Sequence, residues 1–384
     1  MQDSATQGIQ TVNASILVHG TGGLALGLIA RQLALNEREF TLFGRLGEDE
    51  KRRQNVECLN RRRIYLSGVR VDQAIEIPIP DMAITSSPVG LACLRIALRA
   101  DGDVIYFTSL REGQPWAAGE VADAIQDRQR NNTPGTLFLF PCENSIHPKI
   151  SRLETDFGGN GFAYVDSMVD RICPDVGVIS EPHRTGSQAS DGIVFVDTEE
   201  EFEWVAKLET DDPRAHSSFN SICHALNIEN SIDVEAAKIR KRWMMNGTQL
   251  SIGLLAATHG FREKHLRDYC EQYPDSLESL IGDFRIACEL SGIAYPKGEL
   301  EKAEAWYTRR LLMSLQSGED GKGDTVLRIL NKAYKESAGQ MLRDIADKIG
   351  DPYSVLSIHL HNKVERTSIH EVMEVALGQL LSWK

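Results

Sequence analysis

The chain has 384 residues, with 42 Lys and Arg against 55 Asp and Glu, a formal net charge of −13. At roughly 100–200 residues per domain this is the length of a two-domain protein, and 42% apolar and 25% charged residues mark a globular chain rather than a disordered or fibrous one. A net acidic chain excludes general nucleic-acid binding, which needs a basic footprint; the triplets Lys51-Arg52-Arg53 and Arg61-Arg62-Arg63 read as solvated helix faces.

Seven cysteines, Cys58, Cys93, Cys142, Cys173, Cys223, Cys270 and Cys288, are odd in number and widely spaced. No CxxC pair occurs, so neither a disulfide framework nor a structural zinc site is expected. Scattered thiols fit a reducing cytoplasm. Ahead of the first apolar stretch, near Ile16, stand only polar or neutral residues and Asp3. That is not the basic lead of a signal peptide. No apolar run approaches the roughly 18–20 residues of a membrane span. The expectation is a soluble cytoplasmic protein with no membrane partner.

In chain order, residues 1–13 read as a frayed lead-in. Ser15 to His19 is a short apolar run, the pattern of a buried parallel strand. It enters Gly20-Thr21-Gly22-Gly23, and Leu24 to Leu35 follows with helical spacing. Glu39 to Phe43 is a second strand. The three make a strand, glycine turn, helix and strand of βαβ size. Val69 to Thr85 is extended and proline-interrupted, and reads as a strand pair. Asp103 to Thr108, Thr136 to Phe140 and Gly192 to Asp197 are further buried strands. From about Thr210 strand signals stop. Helical patterns then run over Asp233 to His259, Arg262 to Tyr273, Leu277 to Ser291, Glu299 to Leu315, Thr325 to Ile349 and His370 to Leu381. The expected architecture is an α/β Rossmann-type domain over residues 1–210 and an all-helical domain over 211–384.

The glycine turn reads G-x-G-x-x-A with one more glycine at Gly27. Gly20 makes the tight turn, and Gly22 lets the backbone approach a pyrophosphate. Ala25 allows close helix–strand packing, and the helix N-terminus supplies N–H donors. Gly20, Gly22, Gly23, Ala25 and Gly27 are therefore cofactor candidates, with Thr108 at a neighbouring strand end. The context, after a strand and opening a helix, is what gives the pattern weight. An NAD site carries an acid after the second strand for the ribose 2′-hydroxyl. Here Phe43-Gly44-Arg45 stands instead. Arg45 suits a 2′-phosphate, so NADP is favoured over NAD. The alternative is that Arg45 is a surface residue and Glu48 or Asp49 holds the ribose.

Three more segments complete the pattern: Cys142-Glu143-Asn144, Val165 to Pro174 containing Asp170-Arg171-Ile172, and Lys241 to Gln249. With the glycine turn and Glu203-Trp204, they resemble the polyol-specific long-chain dehydrogenases over roughly residues 14–260. The resemblance implies a general base at Lys241 and amides at Asn246 and Asn144 holding the reacting oxygen. It also implies a supporting carboxylate at Asp170. The last position of the family's K-x4-N-x2-H motif is Gln249 here, a departure from its histidine.

The chemistry is consistent on its own terms. Oxidising a secondary alcohol needs a base for the hydroxyl proton and donors for the developing alkoxide. A lysine serves at neutral pH only when desolvation or nearby cations favour its neutral form, and no metal is then required. At about 100° per residue, positions 241, 246 and 249 share a helix sector about 140° wide. Asn246-Gly247 in mid-helix costs about 1 kcal/mol in propensity, which suits a functional site. Gln249 can hydrogen-bond but not titrate. His147, His183, His224 and His259 are each open as substitutes for the missing histidine. His359, His361 and His370-Glu371 lack the spacing of a zinc set. The expectation is a metal-independent NAD(P)-dependent oxidoreductase. It interconverts a secondary alcohol and a ketone on a polyhydroxylated small molecule: a sugar alcohol, its phosphate or a sugar-bearing metabolite. The alternatives are a catalytically silent dinucleotide-binding sensor or scaffold, and a biosynthetic dehydrogenase with a non-polyol substrate.

Overall fold

The structure is a computed structural model. It describes residues 14–316 apart from 48, 111–119, 143–160, 172, 174–175, 181–191, 232 and 262–263, together with 325, 326 and 329. Asn144, His147, His183, His359, His361, His370 and almost all of the last two helical patterns lie outside these residues.

Twelve strands are described: β1 Ser15–His19, β2 Thr41–Gly44, β3 Ile64–Gly68, β4 Ile75–Pro78, β5 Asp81–Ile84, β6 Val104–Thr108, β7 Leu137–Pro141, β8 Phe162–Asp170, β9 Val176–Ile179, β10 Ile193–Asp197, β11 Glu203–Glu209 and β12 Glu229–Asn230. Eight form one sheet in the order β12-β11-β8-β7-β6-β1-β2-β5. The run from β5 to β8 is parallel throughout, and β11 returns antiparallel to β8. This is the doubly wound Rossmann order, in which the sheet is built outward from β1 in one direction and then resumed from β1 in the other. Its central strands β6 and β7 are buried on both faces, which is why they read as apolar runs rather than alternations.

One face carries Val18, Leu42, Ile105, Phe107, Phe138 and Phe140 and packs on the helix after the glycine turn. The other carries Leu17, Phe43, Tyr106, Leu137 and Leu139 under α3 and α4. The helices of this half are α1 Arg31–Leu35, α2 Glu50–Arg62, α3 Pro88–Leu98, α4 Glu120–Arg130 and α5 Pro213–Leu226. A π-helical stretch, Ala25–Ala30, leads into α1.

A second sheet, β4-β3-β10-β9, backs the glycine-turn helix. The expected strand pair over Val69 to Thr85 takes another form. β4 pairs with β3 in the small sheet and β5 with β2 in the large one. Only Ile79 and Pro80 separate β4 from β5. That dipeptide lacks the left-handed residues of a two-residue hairpin turn, so the chain crosses between sheets.

The compact units divide at Val234, with the second beginning at Glu235. The change of texture near residue 210 is therefore not the edge of the first unit. Phe219, Ile222, Cys223 and Leu226 of α5 join the core of the large sheet, and β12 adds to its edge. The second unit contains α6 Val234–Arg240, a π stretch Lys241–Gly247, α7 Thr248–Thr258, α8 Leu266–Gln272, α9 Asp275–Leu290 and α10 Glu299–Gln316. Leu277, Leu280, Ile281 and Phe284 of α9 and Tyr307 and Leu311 of α10 are buried. No described helix is long and apolar enough to cross a membrane.

A buried cation staples the end of the large sheet remote from the glycine turn. Arg128, 2% exposed, donates to the carbonyls of Leu98, Ala100, Gly102, Pro134 and Gly135. Five carbonyls from two loops converge on one guanidinium whose planar fork matches them. Arg128→Met should leave these acceptors unpaired and lower stability by about 3 kcal/mol or more, seen as a lower urea midpoint. An unchanged midpoint would remove the staple from the account.

Candidate functional site

The sheet changes direction between β1 and β6, and their carboxyl ends form the crevice where such folds bind ligands. His19 ends β1 and Thr108 ends β6, in direct register. The Ser109 amide donates to the His19 carbonyl at 2.9 Å, and the Gly20 amide to the Phe43 carbonyl at 2.9 Å. Gly20 has φ +137°, and a Cβ there would strike the Ser109 carbonyl. No other residue type fits.

The other glycines divide by role. A Cβ on Gly22 would meet nothing within 4 Å, so its backbone is open to a ligand. Gly23 and Gly27 face inward: a Cβ on either would lie 2.7 Å from Cys173, from its Cβ at Gly23 and its Sγ at Gly27. These two let the chain leaving β8 cross the helix. Ala25 is fully buried. The Thr108 hydroxyl oxygen is buried and has no hydrogen-bond partner among the described residues. The open Gly22 backbone and this orphaned hydroxyl at the switch point fit a bound dinucleotide.

Arg171 and Cys173, just after β8, brace this helix. Asp170 closes β8, 3% exposed, and Arg171 is 7% exposed. Arg171 donates to the Glu199 carbonyl, and its guanidinium lies 5.5 Å from the Phe202 ring centre. Arg31 of α1 pairs with Glu200 at 2.7 Å. Cys173 Sγ lies 3.2 Å from Thr198 Oγ1, and burial pushes its thiol up to about 11, so it is not a nucleophile at neutral pH. From the second sheet, the buried Tyr65 hydroxyl donates to the Leu26 carbonyl at 2.6 Å within the π stretch.

Arg45 is exposed at the end of β2. Asp49, the acid that competes for the ribose role, is the N-cap of α2 and accepts from the Arg52 amide at 3.1 Å. Glu50 is held by Arg53 at 3.1 Å and Gln54 at 3.0 Å. Glu48 is outside the described residues.

In the second unit Lys241 is 7% exposed and opens the π stretch Lys241–Gly247. Closing the ring i→i+5 instead of i→i+4 admits one more residue per turn, so position i+5 swings back towards i. Asn246 therefore sits closer round the axis to Lys241 than the 140° of a regular α-helix. Asn246 is exposed and Gln249 half-buried. Gly247 has a packing reason of its own: a Cβ there would lie 3.0 Å from the Phe284 ring. The propensity cost of Asn246-Gly247 thus goes in part to packing against Phe284. Thr248 and Ser251, fully buried in α7, have hydroxyls with no partner among the described residues. Spacing alone did not single them out. His259 is engaged elsewhere, its ring tilted against Tyr269 and Tyr273 at 5.7 and 5.0 Å between centres and bonded to the Leu255 carbonyl. His224 lies on α5 of the first unit.

The glycines, Thr108, Arg45 and Asp170 thus belong to one unit, and Lys241, Asn246 and Gln249 to the other. No group of three or more His, Cys, Asp or Glu among the described residues is placed to hold a metal ion.

The fold is similar to that of solved structures. Mannitol 2-dehydrogenase of Pseudomonas fluorescens, in a ternary complex with NAD and D-mannitol, matches with TM-score 0.56 and 13% identity over 96% of this chain and 84% of that one. A D-sorbitol dehydrogenase in substrate-free form matches with TM-score 0.57 and 14% identity over 88% and 77%. At these identities the likeness is one of fold. No protein-family model matches the chain, and a search of curated proteins returns no match.

One residue of this region was not anticipated. His19, 8% exposed, has its Nδ1 2.7 Å from the Tyr106 hydroxyl and lies edge-on to Phe43. Burial, aided by the Arg45 charge, lowers its pKa from 6.5 to about 4. Unfolding releases it to bind a proton near 6.5, so the unfolded chain takes up the extra proton as pH falls. The stability linked to His19 is complete above pH 6.5 and is lost as pH falls towards 4, by about 3 kcal/mol. His19→Gln should flatten that part of the stability–pH profile, measured by denaturant unfolding at pH 7 and pH 4.5. Parallel profiles for the two proteins would refute the assignment.

Proposed function

We propose that the protein is a metal-independent, nicotinamide-dinucleotide-dependent oxidoreductase that interconverts a secondary alcohol and a ketone on a small polyhydroxylated molecule. The observation that carries this reading is Lys241, buried at the head of a π-turn that brings Asn246 round towards it. Single π-turns inside α-helices recur at functional sites, and burial is the condition a lysine base requires. The mannitol and sorbitol dehydrogenases of similar fold lend the substrate class.

In this reading the Gly20–Gly22 backbone and the helix N-terminus hold the pyrophosphate, and the Thr108 hydroxyl contributes a further polar contact. The bound nicotinamide supplies the hydride acceptor or donor. Lys241 takes the substrate hydroxyl proton as the alcohol is oxidised and returns it in reduction. Asn246, with Asn144 as its counterpart, donates to the oxygen on which charge develops. Asp170 supports the proton path, and Gln249 positions a substrate hydroxyl. NADP is the favoured cofactor, because Asp49 and Glu50 are committed to capping and pairing within α2 while Arg45 stands exposed at the strand end.

Lys241→Ala should lower turnover on a panel of hydroxylated substrates by about 10²–10⁴-fold, with NADPH affinity retained in a fluorescence titration. Full activity would sink the assignment. Gln249 favours a second reading, a silent dinucleotide-binding protein, because glutamine cannot titrate. Nucleotide binding by the wild type without turnover of any hydroxylated substrate would favour that silent reading. In an active wild type, Gln249→His giving unchanged or lower turnover supports a site specialised around glutamine, whereas a large gain in polyol oxidation means that the glutamine is a damaging loss.

A further inference from the structure

We propose that Arg52 is a second cation for the ribose 2′-phosphate and so a cofactor-specificity residue; this rests on the NADP reading above. A phosphate monoester carries close to two negative charges at pH 7. A single guanidinium meets only part of that demand, and phosphate sites favour arginines because their fork binds two oxygens at once.

Arg45 and Arg52 flank one short loop, from the end of β2 to the first turn of α2. Between them Gly47 has no side chain, and the Arg52 stem lies against it. A Cβ at Gly47 would sit 3.5 Å from Arg52 Cδ and 3.6 Å from its Cβ. Both arginines are exposed. The loop is pinned from the next strand end, where the Ser86 hydroxyl accepts from the Leu46 amide at 2.8 Å and the Thr85 amide donates to the Gly44 carbonyl at 2.8 Å.

Arg52 is set apart from its neighbours by its pairing. Arg53 is tied to Glu50 at 3.1 Å and Arg63 to Asp81 at 3.3 Å. Asp49 takes only the backbone amide of Arg52, while Glu50 is engaged by Arg53 and Gln54. Among the described residues the Arg52 guanidinium meets no carboxylate. A cation beside this loop that meets no carboxylate among the described residues is available for an anion brought by a ligand. The ligand chemistry is a phosphate monoester on the ribose next to the adenine.

Titrating the full-length protein with NADPH and with NADH, by nucleotide fluorescence, tests this. Wild type should prefer NADPH. Arg52→Gln should weaken NADPH binding about tenfold and leave NADH affinity within about twofold, while Arg52→Lys, which keeps the charge, should recover part of the loss. If wild type prefers NADPH and Arg52→Gln binds it as tightly, Arg52 is excluded and the NADP reading stands. If wild type shows no preference for NADPH, the NADP reading falls and the Arg52 role with it. Equal weakening of both nucleotides would mean that Arg52 acts through the fold, which also overturns the proposal.

Discussion

The first unit turns on a contact with no room in it. At Gly20 the chain leaving β1 reverses into a helix directly beside the Ser109 carbonyl, with the Ser109 amide bonded back to His19. The contact joins the carboxyl ends of β1 and β6, the two strands between which the sheet changes direction. A side chain at Gly20 would part them and close the crevice that the doubly wound order creates. The buried, neutral His19 adds a second constraint to the same joint, because its hydrogen bond to Tyr106 ties β1 to β6 beneath the turn.

A helix that begins so tightly must be held from its far side as well. The small second sheet does this through Tyr65, and the chain after β8 does it through Cys173, which reaches the helix only because Gly23 and Gly27 have no side chains. Arg171 on the Glu199 carbonyl and Arg31 on Glu200 fasten the same strip. Arg171 and Cys173, part of the segment that carries the family resemblance, thus have a structural share of their own. They brace the helix after the glycine turn, and Asp170 beside them keeps a proposed chemical role.

Much of this was legible in the residue pattern. Buried parallel strands are apolar on both faces, so β1, β2, β6, β7 and β10 stood out as short runs. The glycine turn stood out because close backbone approach leaves few residue types to choose from. β3, β9 and β11 were not named as strands, since each mixes polar or exposed residues into its pattern, as Glu203, Lys207 and Glu209 do in the otherwise buried β11. The long polar-sprinkled β8 was noticed for its motif instead. The helix patterns of the second unit emerged because one apolar face repeats at helical spacing.

The sequence by itself determined the α/β order followed by helices, the glycine turn between the first strand and its helix, and the lysine–asparagine pair on one helix. These follow from local rules: backbone sterics, strand burial and helical periodicity. Only the tertiary structure decided which glycine is open and which lies against a cysteine, that α5 belongs to the large sheet, and that Gly247 answers to Phe284. It also decided that the turn between Lys241 and Asn246 is π-helical, and that Asp49 caps α2 while the Arg52 guanidinium meets no carboxylate among the described residues. Each of these depends on what residues distant in sequence place against a given position, and local spacing carries no information about that.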